Sequence, residues 1–317
     1  MWQARQEPGA IERRVKRNWI EAELLRAFEK EKTNAHRLGT AVDGWVERFG
    51  NDVLISFKRE EARERLIEEC VGWTQRTGFV SKRIFARFLP RENAERLPPK
   101  LVFGDASVDS RRVVMERALR FGVDFSAGYS AGLFIDQREN RSFVRRFAPK
   151  KMLNCFAYTG SFSVAATAAG ASTLNIDLSR KSLDRARDNF ALNNLSTTGH
   201  RFIADDVMEV IPRLARKGEK FDCIVLDPPT FSRSGSGRTF HVQSDFEDLL
   251  LGSLELAERD ARILLSTNCS RLDARKLVVM ARFCLKTCRR AGTFHREPPP
   301  VEFPPAGAAS TVWLTLR

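Results

Sequence analysis

The sequence has few of the features that mark membrane, secreted or metal-binding proteins. Within its 317 residues, no apolar run reaches the roughly 18 residues of a membrane span. The first eight residues lack the hydrophobic segment of a secretory signal, which predicts a cytoplasmic location. The six cysteines form no C-x-x-C pair and the four histidines offer no matching partner, so we expect no metal site.

Acidic residues are too few to balance the basic ones. There are 40 of them against 53 lysines and arginines, which leaves a formal net charge of +13. Such an excess favours a polyanionic partner. Six basic residues and one acid lie within 137–151, and eight basic residues and one acid within 271–296. Two solvated helix faces would also explain these clusters, but two clusters flanking one site favour RNA or DNA. We expect no membrane association, and a monomer or a homodimer.

The chain is long enough for two domains. Helical periodicity over 11–32 predicts an N-terminal helix within 1–35. Mixed strand and helix patterns over 36–127 predict a small α/β accessory domain, including a hairpin that turns at Phe121 and Gly122. From residue 151 onward, strands alternate with helices, as in an α/β sheet. The last two strands, 292–296 and 310–316, have no helix between them, so they must pair antiparallel. The third part, 128–317, is therefore predicted to hold a mostly parallel sheet with a reversed edge strand.

The stretch from 151 to 177 predicts a strand, a tight turn, a helix and a second strand that ends in Asp177. This order is half of a nucleotide-binding unit, in which such an acid binds a ribose. The turn lacks the G-x-G-x-x-G pattern, since only Gly160 is present. That absence disfavours NAD and a nicotinamide-dependent oxidoreductase, and it is compatible with S-adenosylmethionine, which has a ribose and no phosphate. The alternative is an ordinary unit in which Asp177 only caps the next helix.

Polar residues follow the predicted end of each strand in this part of the chain. They are Tyr158 to Gly160, Asp177, Asp206, Asp227 to Phe231, and Asn268 to Ser270. Open α/β sheets bind ligands at the carboxyl ends of their strands. Of these groups, 227–231 is the most specific, because two prolines fix the course of a loop that carries Phe231 outward, where its ring can stack on a nucleobase. The basic segment 232–238 suits a lid over a phosphate backbone. A proline turn with a core phenylalanine is the alternative.

The residues N-C-F-A-Y-T-G-S at 154–161 resemble motif I of the bacterial large-subunit ribosomal RNA methyltransferases, the group with cytosine-C5 and guanine-N7 enzymes. GLFIDQRENR at 132–141 resembles the signature ahead of that family's catalytic domain, 227–231 its motif IV, and 240–245 its following helix start. The resemblance implies a class I, Rossmann-like methyltransferase domain at 128–317 that uses S-adenosylmethionine. It also implies an accessory domain ahead of it that serves the RNA, and a ribosomal RNA substrate.

The resemblance also implies roles for individual residues. Asp177 would bind the ribose hydroxyls, Asp206 the adenine amine, and Gln137 with Arg138 the carboxylate of the cofactor. The full cofactor-binding set is Gln137, Arg138, Asn154, Phe156, Tyr158, Thr159, Gly160, Asp177, Leu178, Asp206, Val207 and Asp227. The catalytic set is Asp227, Pro228 and Phe231, with Cys269 only for a cytosine-C5 enzyme. The basic clusters and the 232–238 segment supply the predicted RNA-binding set, which is Arg141, Arg145, Arg146, Arg233, Arg238, Arg275 and Lys276.

The target atom decides which chemistry the site needs. Guanine N7 has a lone pair and needs no base, whereas cytosine C5 becomes nucleophilic only after a thiolate adds at C6. Cys269 stands where cytosine-C5 enzymes have their thiol, or it is a small packing residue. Thr230 and Asn268 look more like the guanine-N7 branch, which we slightly prefer. A catalytically idle RNA-binding protein of the same fold, or a methyltransferase of a non-RNA substrate, is the alternative.

Overall fold

The computed structural model describes residues 19–90, 96–233, 237, 239–304 and 307–317. The chain divides into two compact units. The first contains residues up to 118 together with 124–131, and the second contains 119–123 and 132–317. The three-part division at residues 35 and 127 stays a prediction.

The first unit is a five-stranded sheet with helices. Its elements are α1 (Ala22–Lys30), β1 (Ala35–Ala41), β2 (Gly44–Phe49), β3 (Asp52–Phe57), α2 (Glu60–Thr77), β4 (Arg83–Phe88), β5 (Lys100–Phe103) and β6 (Arg111–Glu116). The strands lie in the order β1-β2-β3-β4-β5, and only β3 and β4 pair parallel. The α2 helix connects that parallel pair and buries Leu66, Cys70 and Trp73. Residues 11–18 of the predicted N-terminal helix lie outside the described residues.

The second unit begins with β7 (Leu119–Asp124), whose last residue is counted with the first unit. The chain turns before β7 at Arg117 and Ala118, which both have positive φ, and not at Phe121 and Gly122 as predicted. Its further elements are a 3-10 turn (Ile135–Gln137), α3 (Arg138–Phe147), β8 (Lys151–Cys155), α4 (Ser161–Thr167), β9 (Ser172–Asp177), α5 (Arg180–Leu192), β10 (Arg201–Ala204), α6 (Val207–Arg216), β11 (Phe221–Leu226), β12 (Phe231–Arg233), β13 (Thr239–His241), α7 (Val242–Leu256), β14 (Ala257–Thr267), α8 (Ala274–Thr287), β15 (Gly292–His295) and β16 (Ser310–Leu316).

The main sheet has seven strands in the order β10-β9-β8-β11-β14-β16-β15. The first five strands are parallel, so the predicted mostly parallel, Rossmann-like sheet is confirmed. The reversed strand is β16, which pairs antiparallel with both β14 and β15. It therefore lies next to the edge, and β15 is the edge strand. Burial explains this placement, because β16 has a buried run from Thr311 to Leu314 that needs a strand on each side, whereas β15 is only half-buried.

Helices cover both faces of this sheet. Along β8, Leu153 and Cys155 pack in the cluster with α6, α7 and α8, while Met152 faces the cluster with α3 and α4. This alternation is the period of two that a strand imposes. Because both faces are covered, the sheet leaves its carboxyl-end edge as the place for a ligand. Among the described helices, none is both long and apolar enough to cross a membrane.

Candidate active site at the carboxyl edge of the sheet

The predicted polar groups follow five strands that are neighbours in the sheet. In the order β10, β9, β8, β11 and β14, every adjacent pair is parallel, so all five strands end at the same edge. The structure thereby brings the groups after these strands to one side of the second unit. A site at this edge can draw side chains from five loops.

The turn after β8 passes three times through the left-handed region. Phe156, Tyr158 and Gly160 have φ values of 57°, 49° and 70°. Each such conformation costs a residue with a side chain on the order of 1–3 kcal/mol, and such residues cluster at functional sites. Sequence reasoning saw only Gly160 and missed the other two positions. The turn therefore has the alternating bends that glycines usually provide, although it carries a phenylalanine and a tyrosine.

Gly160 is required for a second reason. It immediately precedes α4, and a Cβ added to it would lie 2.8 Å from the Cβ of Ala186 on α5. Distances below 3.0 Å are not tolerated between carbon atoms without a shift of one partner. The glycine therefore lets α4 approach α5 closely at the start of the site.

Asp177 fixes the turn to the end of β9. Its Oδ2 accepts the Tyr158 amide hydrogen at 2.8 Å, and its Oδ1 accepts that of Ser179, also at 2.8 Å. Burial raises the pKa of this carboxyl, and the two backbone hydrogen bonds oppose that rise. Ser179 itself caps α5 by accepting from the Ser182 amide at 3.1 Å. The helix thus has its own cap, and Asp177 instead bridges two loops of the site.

Asp206 lies at the end of β10, one strand further out. It is 8% exposed and caps α6, with its Oδ1 accepting from the Met208 amide at 2.9 Å. Asp205 pairs with Arg213 at 2.7 Å. Of the two neighbouring acids, Asp206 is the one that faces the start of the helix, with Val207 buried beside it. Leu178, next to Asp177, is exposed.

Several predicted contact residues are buried with partners inside the protein, among them Asn154, Arg138 and Arg141. Asn154 donates to the Ser163 hydroxyl at 3.0 Å. Arg138 forms a bidentate ion pair with Glu302, at 2.8 and 2.6 Å. Arg141 is 2% exposed and donates to the Phe134 carbonyl at 2.9 Å. The RNA-binding role of Arg141 stays a prediction, and its burial favours a role in supporting the fold.

The other predicted RNA-binding residues differ in their surroundings. Arg145, Arg146, Arg233, Arg275 and Lys276 are exposed. Arg146 pairs with Glu297 at 2.7 Å, and Lys276 donates to the Arg271 carbonyl at 2.7 Å. Arg238 lies outside the described residues. Because their side chains are already exposed, these five residues can contact a polyanion without a rearrangement of the core.

The loop after β11 presents an acid and an aromatic ring. Asp227 accepts a hydrogen bond from the Ser266 hydroxyl at 2.6 Å. Burial raises the pKa of its carboxyl to about 6, the Ser266 hydrogen bond and the charge of Arg141 oppose the rise, and the charge of Asp136 adds to it. Pro228 is buried, whereas Phe231 is 54% exposed in β12. The exposed ring argues against a core phenylalanine at this position.

Two further buried residues are Cys269, in the loop after β14, and Gln137, the last residue of the 3-10 turn. The Cys269 sulfur accepts from Gln243 Nε2 at 3.2 Å. Gln137 donates to the Ser266 hydroxyl at 2.8 Å and accepts from Asn140 at 2.8 Å. Sequence reasoning missed Ser266, although a serine at the end of the apolar strand β14 was a usable signal. Within the described ranges, no three His, Cys, Asp or Glu side chains come together to hold a metal ion.

Comparisons with known proteins identify the family of the chain. The sequence profile of the S-adenosylmethionine-dependent methyltransferases matches residues 101–310, and the chain belongs to this family. Ribosomal RNA large subunit methyltransferase I of Escherichia coli is 31% identical over 261 residues, which are 77% of this chain and 63% of that protein. The protein of the same name from Aeromonas salmonicida is 38% identical over 162 residues, 50% of this chain and 40% of its own length. The chain thus spans less than two thirds of the length of these relatives.

A solved structure shows the same fold. It is that of a methyltransferase in complex with SAH, which is 22% identical to this chain and superposes with a TM-score of 0.77. The match covers 93% of this chain and 79% of that one. The residues at the sheet edge fit the family's cofactor, S-adenosylmethionine. Each oxygen of Asp177 accepts one backbone hydrogen bond and keeps a further lone pair for a ribose hydroxyl.

Replacing Asp177 with alanine should weaken binding of S-adenosylmethionine by roughly 10- to 100-fold, because a hydrogen bond to a charged group contributes about 1.5–3 kcal/mol. Isothermal titration calorimetry measures the change. Asp184→Ala is the matched control, since Asp184 is an exposed acid that pairs with Arg187 on α5. Equal affinities in the two variants would contradict the assignment, and tight binding of NAD would favour an oxidoreductase.

Replacing Gly160 with alanine should lower the thermal midpoint of unfolding more than Gly170→Ala does. Both glycines have positive φ, but nothing lies within 4 Å of a Cβ at Gly170. The strained backbone costs about 1–2 kcal/mol at either site, and only Gly160→Ala adds the contact with Ala186. Calorimetry of Gly160→Ala with and without Ala186→Gly isolates that contact. No recovery in the double variant would show that the close approach is unimportant.

Proposed function

We propose that this chain transfers the methyl group of S-adenosylmethionine to a base of large-subunit ribosomal RNA. The observation that carries the proposal is the meeting at one sheet edge of the Asp177-anchored turn and the Asp227 loop with its exposed Phe231. The first can hold a ribose and the second a nucleobase. The names of the E. coli and Aeromonas relatives support ribosomal RNA as the acceptor.

The residues of the chain act mainly by positioning. The cofactor supplies a methyl group on a positively charged sulfur, so the leaving group is already good and alignment supplies much of the rate. Asp177 would orient the ribose and Asp206 the adenine amine. Phe231 would stack on the target base, since its ring is exposed and aromatic rings bind bases through their faces. Asp227 would accept a hydrogen bond from that base.

RNA would contact the exposed cations of the second unit. Arg145 and Arg146 belong to the last turn of α3. Arg275 and Lys276 lie at the start of α8, directly after the loop that carries Cys269. Arg233 ends β12, two residues beyond Phe231. With the net charge of +13, these positions give the electrostatic footprint of a nucleic-acid-binding protein.

Guanine N7 is the slightly preferred target atom. A cytosine-C5 enzyme needs a reactive thiolate, and such thiols are partially exposed beside cationic groups. Cys269 is 7% exposed, and its sulfur accepts from the neutral Gln243 amide. These surroundings suit a packing residue better than a nucleophile. Thr230 and Asn268, both exposed beside the site, agree with the guanine-N7 pattern.

RNA affinity should fall by roughly a thousandfold between about 50 and 200 mM salt if six or more phosphates are contacted. The double variant Arg275→Ala/Lys276→Ala should reduce the slope of log affinity against log salt by roughly two, one for each lost phosphate contact. Filter binding with a large-subunit ribosomal RNA transcript, at several salt concentrations, measures both the affinity and the slope. Arg187→Ala, on α5 and paired with Asp184, serves as the control. A flat salt response would exclude RNA as the substrate.

No covalent adduct should form with RNA that contains 5-fluorocytosine. In methylation of guanine N7, the N7 lone pair itself attacks the methyl group, so no protein nucleophile is needed. Denaturing gel electrophoresis of the protein–RNA mixture checks this. Cys269→Ser should keep the methyl-transfer rate within a few-fold of the parent. An adduct that disappears in Cys269→Ser would instead establish cytosine C5 as the target.

A further inference from the structure

A chain of buried hydrogen bonds runs from the reversed strand to the Asp227 loop. Trp313 Nε1 on β16 donates to Asn140 Oδ1 at 2.9 Å. Asn140 Nδ2 donates to Gln137 Oε1 at 2.8 Å, and Gln137 Nε2 donates to Ser266 Oγ at 2.8 Å. The Ser266 hydroxyl then donates to Asp227 Oδ1 at 2.6 Å. Four bonds thus connect β16, α3, the 3-10 turn, β14 and the end of β11.

Trp313 fixes the direction of every bond in this chain. An indole N–H can only donate, so Asn140 must turn its oxygen toward Trp313 and its NH₂ group toward Gln137. Gln137 must then present its oxygen to Asn140 and its NH₂ group to Ser266. The Ser266 oxygen is occupied as an acceptor, which leaves its hydrogen for Asp227. Amide orientations are otherwise interchangeable, so one donor-only residue determines the orientation of the two amides that follow.

The four upstream members are deeply buried. Gln137 is 2% exposed, Asn140 is 4%, and Ser266 and Trp313 are each 0%. Asp227 is only half-buried, so the chain ends at the member that a ligand can reach. Polar groups at such depth are costly unless they are paired, and apolar residues of similar volume stabilise a core at least as well. Core packing alone therefore does not explain a chain of hydrogen bonds that has a single direction and ends on a carboxylate.

We infer that Trp313, Asn140, Gln137 and Ser266 are positioning residues that aim the Ser266 hydroxyl hydrogen at Oδ1 of Asp227 and leave Oδ2 for the substrate. This inference rests on the proposed function for the role of Asp227. The pKa of Asp227 is raised by desolvation and by the charge of Asp136, and the hydroxyl hydrogen bond and the charge of Arg141 favour the ionised carboxylate. If the Asn140 and Gln137 amides could rotate, Ser266 would donate to Gln137 Oε1 for part of the time, and Asp227 would lose its donor.

The titration of Asp227 in the whole 317-residue chain tests the inference without any RNA. Carboxyl-¹³C aspartate labelling follows each Asp by NMR, and Asp227→Asn identifies the resonance of Asp227. Ser266→Ala should raise the Asp227 midpoint by about one pH unit, because it removes a hydrogen bond to the charged form. Trp313→Phe and Asn140→Leu should also raise the Asp227 midpoint, but by less. Each lets the Gln137 amide rotate, and the Ser266 hydroxyl is still present.

Two matched controls separate this effect from loss of a buried polar side chain. Trp73→Phe removes an indole N–H that donates to the Ile20 carbonyl, and Ser253→Ala removes a buried hydroxyl that donates to the Leu249 carbonyl. Both should change thermal stability and leave the Asp227 midpoint in place. If Trp313→Phe and Asn140→Leu behave like these controls while Ser266→Ala shifts the midpoint, the upstream chain is only structural and the inference is wrong.

Methyl transfer provides an independent reading. With a large-subunit ribosomal RNA transcript and saturating labelled cofactor, the acid limb of the pH–rate profile should move upward in the order of the NMR midpoints, with kcat reduced. Absence of methyl transfer in every variant and in the parent would contradict the proposed function and leave the NMR result standing. A shifted midpoint with an unmoved acid limb would show that Asp227 does not act on the substrate, which overturns the positioning role.

Discussion

The hydrogen bond from the Tyr158 amide to Asp177 connects the two halves of the cofactor site. It is possible because β8 and β9 pair parallel with Cys155 opposite Ile176, so the residues that follow these two positions leave the sheet side by side. The bond stabilises a turn in which Phe156 and Tyr158 adopt left-handed conformations that would otherwise be unfavourable. Asp177 thus helps to hold the shape of the turn, and in the proposed function it also offers oxygens to a ribose.

The second half of the site depends on contacts between residues far apart in sequence. Asp227 is held by Ser266 at the end of β14, and through Gln137 and Asn140 it is connected with Trp313 near the end of the chain. The antiparallel strand β16 is therefore part of the support of the site. Arg138 adds a second long-range link by pairing with Glu302. The pair with Glu302 explains why the charged Arg138 of the 137–151 cluster lies inside the protein.

Local patterns predicted the fold well because they follow local physics. The apolar run of β8, the acid at the end of β9 and the missing helix between β15 and β16 were each enough to predict their element. Burial of Arg138 and Arg141 was not predictable, since the same basic residues could have formed a solvated helix face. The turn at Arg117 and Ala118 was missed because neither residue is a glycine or an asparagine. The position of β16 inside the edge depends on pairing with β14, which no local pattern records.

Mass spectrometry of nucleosides from large-subunit ribosomal RNA, incubated with the protein and methyl-labelled S-adenosylmethionine, tests the central claim most directly. The account predicts labelled 7-methylguanosine, in an amount that falls in Asp177→Ala when the cofactor concentration is limiting. A labelled 5-methylcytidine would keep the enzyme class and correct the target atom. If the protein is folded and binds the cofactor but the RNA stays unlabelled, the claim that this chain methylates ribosomal RNA is contradicted.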